Sequence, residues 1–368
     1  MTYRAIGLMS GSSLDGLDIA FVEFVHQAGA WSFQILAADC YAYEDEWKNR
    51  LQHAVSLNAL DYQLLHTDYG HYIGKAVNRF IDEHSLHYKV GLIASHGHTT
   101  FHLPQQKMTA QLGDGAAIAA ETGLPVVSDL RALDVAFGGQ GAPIVPIGEK
   151  YLLKEYDYYL NLGGIANISF KHPEKYIAYD ICPANRVMNM LAAKEGKEYD
   201  AGGEMASSGA VDQALLKQLN GLPFYQQPYP KSLANSFGTD EVYPLVDSSN
   251  LSTQDALRTY VEHIVYQIKS AAAAWQSEGD QSASANYQLL ITGGGALNTF
   301  LINRLSEELS SLSVNVVVPD IHLVQYKEAL IMAFIGVLRW RQEYNVLSSV
   351  TGAQRDSIGG AVWIGQEA

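Results

Sequence analysis

Two apolar runs of strand length, Tyr3 to Leu8 and Leu17 to Phe24, flank the segment Met9-Ser-Gly-Ser-Ser-Leu-Asp-Gly-Leu-Asp18. That pattern predicts two strands joined by a glycine and serine turn, a β-hairpin. The turn holds more oxygen ligands and bare N–H groups than a chain reversal needs. Glycine lets a backbone approach an anion, and successive N–H groups with hydroxyls form a phosphate nest. A carboxylate beside such a nest is also where Mg²⁺ accompanying a nucleotide triphosphate is held. An ordinary hairpin with a solvated tip explains the turn equally well. Later stretches have to decide.

They repeat the design. After a third strand near Trp31 to Tyr43, a helical region runs from Glu44 to His84, with Leu60, Leu64, Leu65, Tyr69 and Ile73 at helical spacing. Lys89 to Ser95 reads as a strand ending at Ser95-His-Gly-His98, and Gln111-Leu-Gly-Asp-Gly115 opens a helix over Ala116 to Thr122. Val126 to Asp129 is a further strand, and the glycine-dense loop from Arg131 to Pro143 marks a crossover. The second half restarts with strand, turn, strand and strand: Asp157 to Leu162, Gly163-Gly164, Ile165 to Phe170, a turn over Lys171 to Glu174, then Lys175 to Tyr179. Two similar units, an internal repeat, follow from this order. Asp180 is read at a strand end beside a helix that Pro183 begins, where open α/β sheets bind ligands. Leu219 to Asn250 reads as an irregular excursion, and Gln276 to Asn286 as a flexible polar stretch. Tyr287 to Thr292, Gly293-Gly-Gly295 and a helix from Asn298 or Thr299 form a strand, glycine turn and helix of nucleotide-binding type. A helix from Lys327 to Tyr344 starts at Glu328.

Composition narrows the chemistry. With 24 Lys and Arg against 39 Asp and Glu, the formal charge is −15. Such a surface repels phosphodiesters and anionic lipid, so neither nucleic acid nor membrane is an expected partner. Two cysteines, Cys40 and Cys182, make no disulfide framework, and no uninterrupted apolar run reaches membrane-spanning length. The expectation is a cytoplasmic α/β protein of two domains, 1–130 with 350–368 and 131–349. The P-loop, HExxH and GxSxG patterns are absent. His96, His98 and Arg131 suit hydrogen bonding to a polar or anionic substrate, and Gln140 and Asn185 complete the candidate substrate set. Phosphoryl transfer needs positioning, charge neutralisation and one base. Glycine turns with Asp15, Asp18 and Asp180 beside them supply these.

In combination, Met9 to Asp18, Ser95 to His98, Gln111 to Gly115, Ser128 to Pro143, Asn161 to Asn167, Asp180 to Asn185, Gly293 to Asn298 and Thr351-Gly-Ala353 resemble the anhydro-N-acetylmuramic acid kinase family. The resemblance implies the actin/Hsp70/sugar-kinase architecture, two ribonuclease-H-like domains closing an interdomain cleft over ATP. It implies an anhydro-amino-sugar substrate, opened by water and phosphorylated on its 6-oxygen, in peptidoglycan recycling. It further implies that Gly11, Ser12, Ser13, Leu14, Asp15, Gly16, Leu17 and Asp18 hold the ATP phosphates, with Mg²⁺ at Asp15 and Asp18. Gly163 and Gly164 would be the second phosphate turn, and Gly293, Gly294 and Gly295 the adenosine side. Asp180 matches the catalytic base and Glu328 an assisting acid. A base near a triphosphate keeps its proton more readily, so neighbouring donors are expected to hold Asp180 ionised. A homodimer is implied too, with no seam legible in the sequence. Cys182 and Ala184 replace two glycines of the family pattern, and Ser-His-Gly-His stands for Ser-His-Gly-Gln; both changes are expected to line the sugar pocket. The rival readings are a sugar or acyl kinase without ring opening, and a nucleotide-gated binding or regulatory protein.

Overall fold

The opening hairpin forms as its pattern requires. Strand β1 (Thr2–Ser10) pairs antiparallel with β2 (Gly16–Gln27), which pairs antiparallel with β3 (Ala30–Ala42). The computed structural model describes residues 1–11, 14–172, 175–229, 231–234, 236–276 and 286–365. Ser12 and Ser13, the turn residues 173–174 and most of the polar stretch, 277–285, lie outside them. Strands β4 (Leu92–Leu103) and β6 (Val126–Ser128) add in parallel, while β5 (Met108–Leu112) pairs antiparallel with the far end of β4. The core of the sheet reads β6-β4-β1-β2-β3. The helix Ala59–Glu83, capped by Asn58, packs Leu65, Tyr69, Ile73, Val77 and Phe80 inward at the helical period.

The second half has β7 (Tyr158–Leu162), β8 (Ile165–Lys171), β9 (Tyr176–Pro183), β10 (Tyr287–Thr292) and β11 (Val314–Val317) in the order β11-β10-β7-β8-β9. Directions match as well: three antiparallel strands first, then two parallel additions. Each half is a ribonuclease-H-like unit. The repeat read from glycine turns is therefore a repeat of topology.

Several boundaries differ from the sequence reading. The chain divides into Met1–Lys154 with Tyr326–Ala368, and Glu155–Gln325, rather than at 130 and 350. The stretch beyond Arg131 stays with the first unit because it is tied there. Thr351 Oγ1 donates to Asp134 Oδ1 (2.7 Å), the Gln140 N–H donates to the Thr351 carbonyl (2.7 Å), and Lys327 pairs with Glu149 at 3.1 Å in the interior. The last long helix spans Ile321–Trp340, not Lys327 to Tyr344. By length and composition alone it is apolar enough to cross a membrane; in the fold most of it is interior. Gly7 shows why the helix from Tyr326 onward belongs to unit 1: a Cβ there would stand 1.9 Å from the Ala329 carbonyl oxygen. The tail returns as β12 (Ala361–Trp363) along β6. The irregular excursion contains short helical pieces, Pro223–Gln226, Phe237–Val242 and Tyr243–Asp247.

Candidate active site

In unit 1, Ser95-His-Gly-His98 does not end a strand but lies within β4, beside the irregular register that pairs Ser10 with His98. His98 Nδ1 meets Ser10 Oγ at 3.1 Å, Tyr43 OH donates to Ser10 at 2.8 Å, and Tyr43 meets Tyr69 OH at 2.5 Å. The Tyr43 proton goes to Ser10, so Tyr69 donates to Tyr43, and Ser10 Oγ either donates to Nδ1 or accepts from it according to the imidazole tautomer. The other ring nitrogen, Nε2, has no partner among the described residues. Burial pulls the His98 pKa down to about 4, so the ring is neutral at physiological pH.

His96 is placed differently from the expectation. Its Nδ1 bonds to the Gly97 carbonyl (2.8 Å), and its Nε2 accepts from Arg131 Nε (2.8 Å). Both ring nitrogens are used, the side chain is buried, and burial followed by the nearby guanidinium lowers its pKa to about 3. His96 therefore positions Arg131 and has no capacity left for substrate. Arg131 also donates Nη1 to the Gly141 carbonyl (2.7 Å), which leaves Nη2 without a partner among the described residues. Burial brings the Arg131 pKa to about 10, opposed by the charges of Glu328 and Asp134. Gln140 is exposed, and its loop is held by Asp134, whose Oδ2 accepts from Gly141 N at 2.8 Å.

Glu328 and Asp18 share this electrostatic neighbourhood. Burial raises Glu328 above the ordinary glutamate range, against Lys327 and Arg131, which lower it. Asp18 is pushed up to about 6 by burial first; a hydrogen bond from the Cys40 thiol opposes this, and the negative charges of Glu328 and Asp15 reinforce it. Asp15 is exposed at the hairpin. Gly16 is required by the fold, since a Cβ would lie 2.6 Å from the Tyr41 carbonyl oxygen. Leu14 takes a left-handed φ of 59°, and its N–H reaches back to the Gly11 carbonyl at 3.4 Å. Leu17 is buried in the core.

In unit 2, Asp180 is inside β9 rather than at its end. A bulge between Ala166 and Asn167 pairs Asn167 with Asp180 and Ala166 with Cys182. Pro183 is the last strand residue rather than the start of a helix, and the helix Asn185–Ala193 begins after Ala184, which holds its cap position. The Asp180 carboxylate accepts one backbone donor, the Leu233 N–H, at 2.8 Å, while its own N–H donates to the Lys231 carbonyl at 3.2 Å. Burial outweighs that donor, so its pKa is raised, contrary to a carboxylate held ionised by its neighbours. Cys182 and Ala184 are completely buried in the unit 2 core. Their side chains are packed among the core residues rather than exposed.

The turn and the glycine triplet meet at Asn185. Its side chain donates to the Leu162 carbonyl (2.8 Å) and its N–H to the Gly163 carbonyl (3.0 Å), while Ala184 N–H donates to Gly164 (2.8 Å). A Cβ on Gly293 (φ +81°) would sit 2.5 Å from Asn161 Oδ1, and one on Gly295 2.6 Å from Leu162 Cβ. Gly163, Gly164 and Gly294 have no such crowding: the nearest atoms are 3.5 Å or more away, and none has a left-handed φ. Ser10, Tyr43, Asp134, Leu233 and Arg186 escaped the sequence reading. Four of them act through hydrogen bonds to residues distant in sequence; Arg186, directly after Asn185, was visible as a cation beside a glycine turn.

Over residues 3–365 the chain matches the family model described as anhydro-N-acetylmuramic acid kinase. Curated relatives carrying that name include proteins of Hydrogenovibrio crunogenus, 35% identical over 97% of both chains, and of a Sulfurovum species, 31% identical over 98% of this chain and 99% of the relative. The Haemophilus influenzae protein of that name is 30% identical over 97% of each. Among solved structures, the activator of 2-hydroxyisocaproyl-CoA dehydratase from Clostridium difficile with bound ADPNP covers 92% of this chain and 96% of its own at 13% identity, with a TM-score of 0.42. That likeness is too slight to carry an argument.

Proposed function

The chain belongs to the anhydro-N-acetylmuramic acid kinase family, and from that premise we propose that it opens 1,6-anhydro-N-acetylmuramic acid with water while phosphorylating its 6-oxygen. The products are N-acetylmuramic acid 6-phosphate and ADP, an activity suited to peptidoglycan recycling. The observation that carries the reading is Asp180, a half-buried carboxylate with one fixed donor and a raised proton affinity. It takes a proton from water as the water oxygen attacks the anomeric carbon. The bond from that carbon to the 6-oxygen breaks, its electron pair moves to the 6-oxygen, and this oxygen attacks the γ-phosphorus of ATP as ADP leaves. A binding or regulatory protein has no use for such a base.

Within unit 1, we assign the unpartnered His98 Nε2 and Arg131 Nη2 to sugar hydroxyls, with His96 holding Arg131. The exposed Gln140 side chain extends that set, and Asn185 sets the turn in unit 2. The hairpin residues Gly11 to Asp18 and the turn Gly163-Gly164 are assigned to phosphates, and Gly293 to Gly295 to the adenosine. Glu328 assists as an acid. Among the described residues no three His, Cys, Asp or Glu groups gather as a metal cage. That suits Mg²⁺, which is held by phosphates with one or two carboxylates. Asp18, whose proton affinity is raised in part by Glu328 and Asp15, gains from a nearby cation. Asp15 and Asp18 would hold Mg²⁺, which would neutralise the β- and γ-phosphate charge.

The direct test is mass spectrometry of the product formed from anhydro sugar, ATP and Mg²⁺ in H₂¹⁸O, sampled early because the anomeric hydroxyl exchanges. Label at the anomeric hydroxyl of a sugar 6-phosphate is expected; phosphorylated sugar with its anhydro ring intact would leave the plain kinase in its place. The pH profile follows from Asp180. The base form is required, so kcat/KM is lost as pH falls through its raised pKa. The acidic limb is expected above the ordinary aspartate value of about 3.9. Leu233→Pro, which deletes the donor N–H, moves it higher still. A profile flat from pH 4 to 8 would rule Asp180 out as the titrating base.

A further inference from the structure

We propose that Arg186 is an oxyanion-binding residue of the Gly163-Gly164 turn, taking phosphoryl oxygens of the nucleotide. The inference rests on reading that turn as a phosphate turn, and goes beyond it by supplying the cation. Arg186 is the second residue of the helix Asn185–Ala193. Its Nε is buried and makes no hydrogen bond, and no carboxylate among the described residues pairs with its guanidinium. In a chain of net charge −15, a partly buried arginine with no acidic partner is a cation held in reserve. A buried donor left unmade costs stability unless something else satisfies it.

The surroundings point to a ligand on the same side. The space above Gly164 is bounded by Arg186: an added Cβ would find its nearest atoms in Arg186 Nε at 3.7 Å and Cβ at 3.8 Å. Packing demands neither glycine, since a Cβ at each would make only ordinary van der Waals contacts, and at Gly164 the side chain it would meet is Arg186. The helix N-terminus is not the anion site, because the N–H groups of Ala184 and Asn185 are already bonded to the Gly164 and Gly163 carbonyls, at 2.8 and 3.0 Å. The side chain of Arg186 is what remains. A guanidinium offers a fork of donors that matches phosphate or carboxylate oxygens.

The same chemistry is offered by the carboxylate of the muramic acid side chain, so the test separates the two. Calorimetry without sugar measures ATP, ADP and adenosine affinity for wild type, Arg186→Ala and Arg186→Lys. Steady-state kinetics measure KM for the sugar. Arg186→Ala is expected to weaken ATP about tenfold to a hundredfold, leave adenosine affinity and sugar KM unchanged, and retain the wild-type Tm. Arg186→Lys should recover part of the loss and keep a salt-dependent ATP affinity. Unchanged ATP affinity in Arg186→Ala overturns the proposal, as does a rise confined to sugar KM, which would give the arginine to the sugar carboxylate. If wild type itself fails to bind ATP, the phosphate-turn reading falls first, and the proposal with it.

Discussion

Asp180→Asn is expected to cut sugar-dependent ADP formation by roughly 10²–10⁴-fold, the usual contribution of a positioned general base. Asparagine keeps the size of the side chain, and its carbonyl oxygen can still accept from the Leu233 N–H that now bonds Asp180 at 2.8 Å. The fold therefore loses nothing, and Tm and ATP affinity should match wild type. What disappears is a group able to accept a proton. Ring opening and phosphorylation should fall together, because the 6-oxygen becomes a nucleophile only as its bond to the anomeric carbon breaks. Stopped assays with product separation read both. A variant that still makes sugar phosphate near the wild-type rate would remove Asp180 from the reaction. One that still opens the ring without phosphorylating it would uncouple the two steps.

How much of this could be read in advance depended on whether the cause was local. Strand-length apolar runs, the helical stripe of Leu65, Tyr69 and Ile73, and the glycine turns are local signals, and the structure has the elements they imply. Asp180 was placed at a strand end because Pro183 looks like a helix start. In the structure β9 is the edge of its sheet, where proline's missing N–H leaves no ladder bond broken, so the strand runs through Pro183. The bulge opposite Asn167 is likewise invisible in the letters. It shifts the register by one residue, and a one-residue shift exchanges the faces of every side chain beyond it. That is why Cys182 points into the core. His96 was misjudged for a related reason, since its partner Arg131 lies 35 positions away. Thr351-Gly-Ala353, one of the stretches that carry the resemblance, ties the glycine loop through Asp134, 217 positions away.

Gly293→Ala and Gly164→Ala are expected to fail in opposite ways. At Gly293 the backbone has φ +81°, and an alanine Cβ would lie 2.5 Å from Asn161 Oδ1 and 2.9 Å from the Leu162 backbone. With ψ at 166° this is an extended, positive-φ conformation that is essentially glycine-only and costs an L-residue about 1–3 kcal/mol, and overpacking against backbone adds about 1–3 kcal/mol. The result is a clear fall in Tm, with weakened nucleotide binding only as a consequence. At Gly164 neither penalty applies: φ is ordinary and the nearest atoms are 3.7 Å away. Its Tm should move by no more than the roughly 0.5 kcal/mol typical of uncrowded sites. The methyl group would instead occupy the room above the turn, so ATP affinity should drop about tenfold or more, at the cost of about 1.4 kcal/mol per decade, while the protein remains folded. Thermal unfolding with and without ATP separates the two: Gly164→Ala should melt as wild type alone and lose the stabilisation that ATP confers. If it keeps that stabilisation, the turn is only a hairpin, and the phosphate role must rest on Gly11 to Asp18 alone. If it melts early without ligand, glycine is there for the strands, and the contrast with Gly293 disappears.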